Sequence, residues 1–122
     1  MSKSELTSLA EIIPEPTMVR LFIIGETNHA SSVQHQTEAN ALPELAQMGF
    51  NTLALEGISP QASNETIREE RSRVMSDNLK SLLKNPDSKV VALMGASHLT
   101  WQPQPNTSFV GADYKVATVE LK

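Results

Sequence analysis

The chain has 122 residues, a formal net charge of −4 and no cysteine. This length fits one domain with a small core, and the acidic balance with scattered Lys and Arg residues argues against nucleic acid or an anionic membrane as the main partner. The lack of cysteine excludes disulfides, thiolate metal sites and a cysteine nucleophile. Any metal would therefore bind to His, Asp or Glu.

The N-terminal segment, residues 1–17, lacks the long apolar region of a signal peptide. Nowhere in the chain does an apolar run reach the roughly 18 residues that a membrane-spanning helix needs. We therefore expect no membrane span and a cytoplasmic location, with secretion by a leaderless route as the alternative. Residues 18–122 are predicted to form a single α/β domain.

Three runs of the chain are continuously apolar, with no regular alternation of apolar and polar residues, and each ends in glycine: 18–25, 50–57 and 89–95. Continuous apolarity is typical of strands that are covered on both faces, as in a parallel sheet. The run at 114–121 alternates and could form an edge strand. We predict a small, mainly parallel sheet of order 2-1-3, because two crossovers that leave the first strand in opposite directions create a switch point at its end.

Two longer segments between these runs are predicted to be helices. In the first, residues 31–48, Pro43 should kink the helix or start a second short one. The second, residues 64–84, has an apolar stripe that includes Val74 and Leu82 and that Arg71 and Asn78 interrupt. Arg71 either extends along the edge of the core, or it reaches over the strand ends to pair with Glu26 or Glu56 and to hold an anionic or carbonyl group of a substrate.

Titratable side chains follow all three predicted strands: Glu26, His29, Glu56 and His98. Ligands of open parallel sheets bind beyond the carboxyl ends of the strands, so the topology should bring these side chains together. Two carboxylates and two imidazoles are suited to acid/base catalysis or to a divalent metal. Alternatively, each carboxylate only caps a helix, and His98 is a loop histidine stacked on Trp101.

His35 and Glu38 lie within the first predicted helix, between polar neighbours. Charged and polar side chains in such a setting mostly face the solvent. We therefore predict that both residues lie on an exposed helix face and do not form part of a site.

Four stretches of the chain, "IIGETNHASS", "LALEG", "RSRVMSDNL" and "VALMGASH", resemble the erythromycin esterase, ChaN-like and TIKI superfamily. In that superfamily a strand ends in Gly-Glu-x-x-His and a later strand in Gly-x-x-His, and the pattern also occurs in bacterial toxin domains similar to Pasteurella multocida toxin. By this resemblance Glu26 and His29 match the first motif and Glu56 matches the acid after the second strand. Arg71 matches the arginine before a helical methionine, and His98 matches the last histidine.

The branches of the superfamily imply different activities. The esterase branch implies that a histidine and carboxylates activate water, and the TIKI branch implies a metal-dependent peptidase. ChaN-like members bind haem, whereas the toxin-like domains imply no catalysis. Members are usually longer and have a helical lid; here the Pro-containing stretch after residue 98 takes its place, so the site should be shallow and open.

We predict a hydrolase that cleaves an ester or amide bond in a small-molecule or peptide substrate. His29 or His98 would activate the water, or a divalent metal bound by these histidines with Glu26 and Glu56 would do so. Arg71 would orient a carboxylate or stabilise the developing oxyanion. The alternative is a non-catalytic binding module for a metal, haem or an anion, or a toxin-like domain that acts through protein contacts.

Two further expectations concern partners. Aromatic residues make up only 4% of the chain and Tyr114 lies away from the motifs, which counts against haem, since haem needs an axial ligand in an apolar cleft. So small a sheet could also be extended or covered by a second copy, which makes a homodimer possible.

Overall fold

The computed structural model describes residues 13, 18–28, 30–55, 65–99, 101–102, 108–111 and 114–121, with only the backbone at 65–68. The predictions for His29 and Glu56 therefore lie outside the described residues. Among the described helices, none is long and apolar enough to cross a membrane.

Four strands form one sheet: β1 (Leu21–Glu26), β2 (Thr52–Leu55), β3 (Val90–Gly95) and β4 (Val116–Leu121). All three pairings are parallel, because the strands are joined by long crossovers instead of hairpins. The predicted small α/β fold with a mainly parallel sheet is confirmed. β4 is an edge strand, as its alternating sequence indicated.

The predicted strand order is wrong. The observed order is β2-β3-β1-β4, so β2 pairs with β3 and not with β1. The handedness of crossovers restricts the face on which a connecting helix lies, but it does not determine how far along the sheet the chain moves. β4 occupies the place beside β1 that the prediction gave to one of the other strands.

The two predicted helices are present as α1 (Ser32–Gln47) and α2 (Glu65–Leu83). α1 begins at Ser31, whose hydroxyl accepts a hydrogen bond from the backbone N–H of Gln34 at 3.2 Å, as an N-cap does. Of the two alternatives predicted for Pro43, the start of a second helix is wrong, because α1 continues through this residue as one helix.

The carboxyl ends of both helices are satisfied by cations from the beginnings of strands. The Arg20 guanidinium, just before β1, donates to the carbonyls of Leu83 and Asn85 at 3.0 and 2.9 Å. The Lys89 ammonium, just before β3, donates to the carbonyl of Met48 at 2.8 Å. Cations stabilise the ends of helices where carbonyls lack an intrahelical partner, so these contacts fix each helix against the sheet.

One helix covers each face of the sheet, and the side chains of β1 alternate between the two cores. The core on the α1 side contains Ile13, Phe22, Ile24, Leu45, Phe50 and Val91. The core on the α2 side contains Leu21, Ile23, Leu79, Leu83, Val90 and Met94. The continuous apolarity of β1 is thus explained by burial on both faces.

The buried face of α2 is rotated relative to the stripe predicted from the sequence. Val74 and Leu82 are 50% and 38% exposed, whereas Ser72 and Ser76 are buried. The Ser76 hydroxyl donates to the carbonyl of Phe109 at 2.8 Å. Two serines can face the core because their hydroxyls find partners there.

Candidate functional site at the end of β1

Gly25 and Glu26, the last two residues of β1, face opposite sides of the sheet. Glu26 continues the series of Phe22 and Ile24, which pack in the core on the α1 side. Its backbone lies between Gly95 of β3 and Leu121 of β4. The Glu26 side chain therefore lies at an inner position of the carboxyl edge of the sheet, and it is only 10% exposed.

Gly25 serves packing on the α2 side. A Cβ atom at this position would lie 2.6 Å from Cδ1 of Leu99 and 3.1 Å from Cα of Ala96. Ala96 begins the 3₁₀ turn that follows β3, and Leu99 is the C-cap residue of this turn. The glycine of the Gly-Glu pair is therefore required by the close approach of this turn to β1.

The first two turns of α1 bring His35 and Glu38 to Glu26. Each of the three residues offers a ligand atom, and these atoms lie within 4.8 Å of one another. Nε2 of His35 lies 3.6 Å from Oε2 of Glu26. We call Glu26, His35 and Glu38 the α1-side cluster.

The exposure predicted for His35 and Glu38 is right for only one of them. The His35 side chain is 52% exposed, but Glu38 is 5% exposed, so the prediction for Glu38 is wrong. Residues three apart lie on the same side of a helix, and here that side faces the end of β1. Both residues belong to the cluster, contrary to the prediction that they lie outside any site.

The Glu38 carboxyl is in an unusual electrostatic environment. Its burial, a hydrogen bond to Glu26 and the negative charge of Glu26 raise the pKa of Glu38 to about 8. At neutral pH Glu38 is therefore mainly protonated, and its hydroxyl donates to the Glu26 carboxylate. Oε2 of Glu38 is buried and has no hydrogen-bond partner among the described residues.

A polar network holds the start of α1 over the strand ends. Gln34, which is 4% exposed, donates from Nε2 to Oγ1 of Thr27 at 2.6 Å and accepts from the backbone N–H of Asn28 at 3.2 Å. The Thr27 hydroxyl in turn donates to the carbonyl of Leu121 in β4 at 2.7 Å. These bonds fix the neighbouring His35 relative to Glu26.

His98 lies on the other side of the sheet from this cluster. It is 5% exposed, and its Nδ1 lies 2.7 Å from Oγ of Ser72 on α2. Trp101, the alternative stacking partner, packs edge-on against Phe109 at 5.4 Å between ring centroids. Arg71 is half-buried on α2, and its approach to Glu26 or Glu56 stays a prediction.

Glu26 was predicted from the sequence as a site residue, but its two neighbours on α1 were not. A signal for them was present: His35 and Glu38 are three residues apart in the first two turns of the helix that follows the Gly-Glu pair. This spacing places both side chains on one side of the helix, close to where the strand ends. Ser72 was missed because it lies outside the predicted apolar stripe, and a serine there gives no signal until its partner is known.

Comparisons of the chain with protein-family models, with curated proteins and with solved structures returned no match. The similarity to the erythromycin esterase, ChaN-like and TIKI superfamily therefore stays a hypothesis that rests on the four short motifs. The α1-side cluster has its own chemistry: two carboxyl groups and an imidazole can activate water or bind a cation.

Proposed function

We propose that the protein hydrolyses an ester or amide bond at the carboxyl end of β1. The observation that carries this proposal is the convergence of Glu26, His35 and Glu38 within 4.8 Å at that edge. Open parallel sheets bind their ligands at the carboxyl ends of the strands. The substrate would be a small molecule or a peptide.

The reaction needs a water molecule whose oxygen attacks the acyl carbon. The bond to the leaving oxygen or nitrogen then breaks, and the leaving group takes up a proton. The cluster activates the water in one of two ways: His35 accepts a proton while Glu26 stabilises the imidazolium, or the three side chains bind a cation that holds the water. His35 is the exposed member, so a substrate can reach it from solvent.

Of the described residues that match the family motifs, Glu26 is the one that lies in the α1-side cluster, on which this proposal rests. The roles predicted for His29, Glu56, Arg71 and His98 stay predictions, and His98 has a partner in Ser72.

Hydrolysis by the full chain and four variants tests the proposal. We would assay p-nitrophenyl esters and amino-acid p-nitroanilides with the wild type, Glu26→Gln and His35→Ala. Glu70→Gln is the matched control, because Glu70 is exposed on α2, where it pairs with Arg73; His98→Asn reports on the predicted second histidine.

We expect Glu26→Gln and His35→Ala to lower kcat/KM by about 100-fold or more, as loss of acid/base catalysis does, and Glu70→Gln to leave it unchanged. No hydrolysis above the buffer rate, or equal rates in the wild type and both cluster variants, would contradict the proposal. Circular dichroism confirms that each variant is folded.

The second candidate function is a binding module without catalysis. The burial of Glu38 favours this candidate. A carboxyl group that is 5% exposed cannot touch a bulky substrate, but it can bind a small cation. Cation binding by a chain that hydrolyses none of the test substrates would favour this candidate.

The homodimer also belongs to the proposal. β2 is an edge strand in which Leu53 and Leu55 are 47% and 68% exposed, and such an edge readily pairs with another strand. Analytical ultracentrifugation should show a dimer that Leu55→Lys weakens. A wild-type chain that stays monomeric at high concentration would contradict it.

A further inference from the structure

We infer that Glu26, His35 and Glu38 form a binding site for one divalent transition-metal cation, of which Zn²⁺ and Mn²⁺ are the test cases. This inference deepens the proposed function and rests on the same site. It differs from the ligand set expected from the sequence, in which His29, Glu56 and His98 accompanied Glu26.

The geometry of the three side chains fits a cation with little movement. Ligand atoms about 2.0–2.2 Å from a metal lie about 3–3.5 Å from one another. The ligand atoms of the cluster are within 4.8 Å of one another, and the His35 to Glu26 distance is already 3.6 Å. Small rotations of the side chains would therefore complete the site.

The unpartnered oxygen of Glu38 is the independent observation that points to a ligand. Glu38 is 5% exposed, and apart from the contact between its carboxyl group and that of Glu26, its Oε2 has no hydrogen-bond partner among the described residues. Buried polar atoms in folded proteins nearly always have a partner, because an unpaired one is costly. A cation bound by the cluster would provide that partner.

The donor atoms select the class of cation. One imidazole nitrogen with two carboxylate oxygens suits Zn²⁺, Mn²⁺ or Fe²⁺, whereas Mg²⁺ and Ca²⁺ prefer oxygen ligands alone. Three protein ligands leave at least one coordination position for water, as in catalytic metal sites. Because the His35 side chain is 52% exposed, that position is expected on the solvent side of the cluster.

The surroundings also hold the ligands in place. Gln34, next to His35, ties the first turn of α1 to Thr27 at 2.6 Å, and Thr27 is bonded to β4. The Glu26 backbone is fixed between two neighbouring strands. Binding therefore requires little ordering of the main chain, which favours affinity.

The test measures binding without substrate. The full chain, treated with chelator and dialysed, is titrated with ZnCl₂ or MnCl₂ by calorimetry. We expect one cation per chain for the wild type and for the control Glu70→Gln. Glu38→Gln, Glu26→Gln and His35→Ala should each weaken binding about tenfold or more, since each removes a metal ligand.

A second measurement uses only the wild type, so it does not depend on the folding of any variant. Bound Mn²⁺ broadens the NMR signals of nearby nuclei, and we expect the broadening to centre on the His35 ring and on the amides of Glu26 and Glu38. No saturable binding, equal binding by all three variants, or broadening centred on another part of the chain would overturn the inference.

Failure of this inference can be separated from failure of the proposed function. Hydrolysis of the test substrates by a chain that shows no saturable cation binding overturns the cation site and leaves the hydrolase proposal standing. Cation binding at the cluster by a chain that hydrolyses nothing supports the site and contradicts the hydrolase proposal.

Discussion

The end of β1 divides two regions with different chemistry. On the α1 side, Glu26 meets His35 and Glu38, and ligand-type atoms lie within 4.8 Å of one another. On the α2 side, Gly25 leaves room for Leu99. Because successive side chains of a strand point to opposite faces, adjacent residues of one Gly-Glu pair serve packing and a polar cluster separately.

His98 on the α2 side and Glu38 on the α1 side are both buried, and they differ in how far the described residues satisfy their polar atoms. His98 on the α2 side has its Nδ1 paired with Ser72 at 2.7 Å. Glu38 on the α1 side has an oxygen without a partner. A satisfied pair stabilises the fold, whereas an unsatisfied buried oxygen marks a place for a ligand. We therefore propose a structural role for the buried pair on the α2 side and a binding role for the cluster on the α1 side.

The largest effect that we expect from the contrast between the two sides is a dependence of stability on pH, caused by the buried carboxyl group of Glu38. The pKa of Glu38 is about 8 in the folded protein, against an ordinary value of 4.5, so between these values the folded state holds a proton that the unfolded state releases. In chelator, the contribution of Glu38 to the free energy of unfolding should be fully present below pH 4.5 and should be lost, by an amount on the order of a few kcal/mol, as the pH rises to about 8. Urea unfolding of the wild type across this range measures the decrease.

Glu38→Gln isolates the contribution of this carboxyl group from those of Glu26 and His35, which face it. The variant should show a much weaker decrease with pH, because the amide does not titrate, while Glu70→Gln should keep the wild-type slope. A Glu38→Gln variant as sensitive to pH as the wild type would show that the buried carboxyl is not protonated in the folded protein.

Gly25→Ala tests the packing on the α2 side. The new Cβ would lie 2.6 Å from Leu99 Cδ1 and 3.1 Å from Ala96 Cα, so we expect a loss of about 1–3 kcal/mol of stability, as in overpacked cores. The double variant Gly25→Ala/Leu99→Ala should lose less stability than the sum of the losses in the two single variants, because the smaller side chain at position 99 leaves room for the new Cβ. Urea unfolding measures both, and a neutral Gly25→Ala would mean that the turn after β3 moves away freely.

Ser72→Ala tests whether the buried pair on the α2 side is structural. Removal of the hydroxyl leaves the Nδ1 of His98 without this partner, which should cost about 1–2 kcal/mol. Ser81, an exposed serine on the same helix, provides the control, and Ser81→Ala should change stability by less than about 0.5 kcal/mol. Zn²⁺ affinity should be the same in both variants; weaker binding by Ser72→Ala would connect the two regions.

The smallest effect is expected for His35→Ala in chelator. The imidazole is 52% exposed and 3.6 Å from Glu26, so its loss should change the free energy of unfolding by less than about 0.5 kcal/mol. Thermal or urea unfolding of the metal-free protein gives this value. A large loss would mean that His35 supports the fold, which would remove the contrast with the α2 side.

Much of the fold was readable in the sequence because it depends on local pattern. The ranges 31–48 and 64–84 correspond to α1 and α2, since apolar spacing and an N-cap serine determine helices locally. The three apolar runs likewise correspond to parallel strands, because a short apolar run that ends in glycine is also a local pattern. Strand order was not readable, because the place of β4 beside β1 depends on which edge a distant segment finds free.

The candidate site was only partly readable. The sequence by itself determined that a carboxylate, Glu26, ends a buried strand at the edge where parallel sheets bind ligands. Only the tertiary structure decided that Glu38 is buried against it, and that His98 faces Ser72 on the opposite side. Burial of a polar side chain depends on how a helix is placed over the sheet, and polar neighbours in the sequence carry no information about that placement.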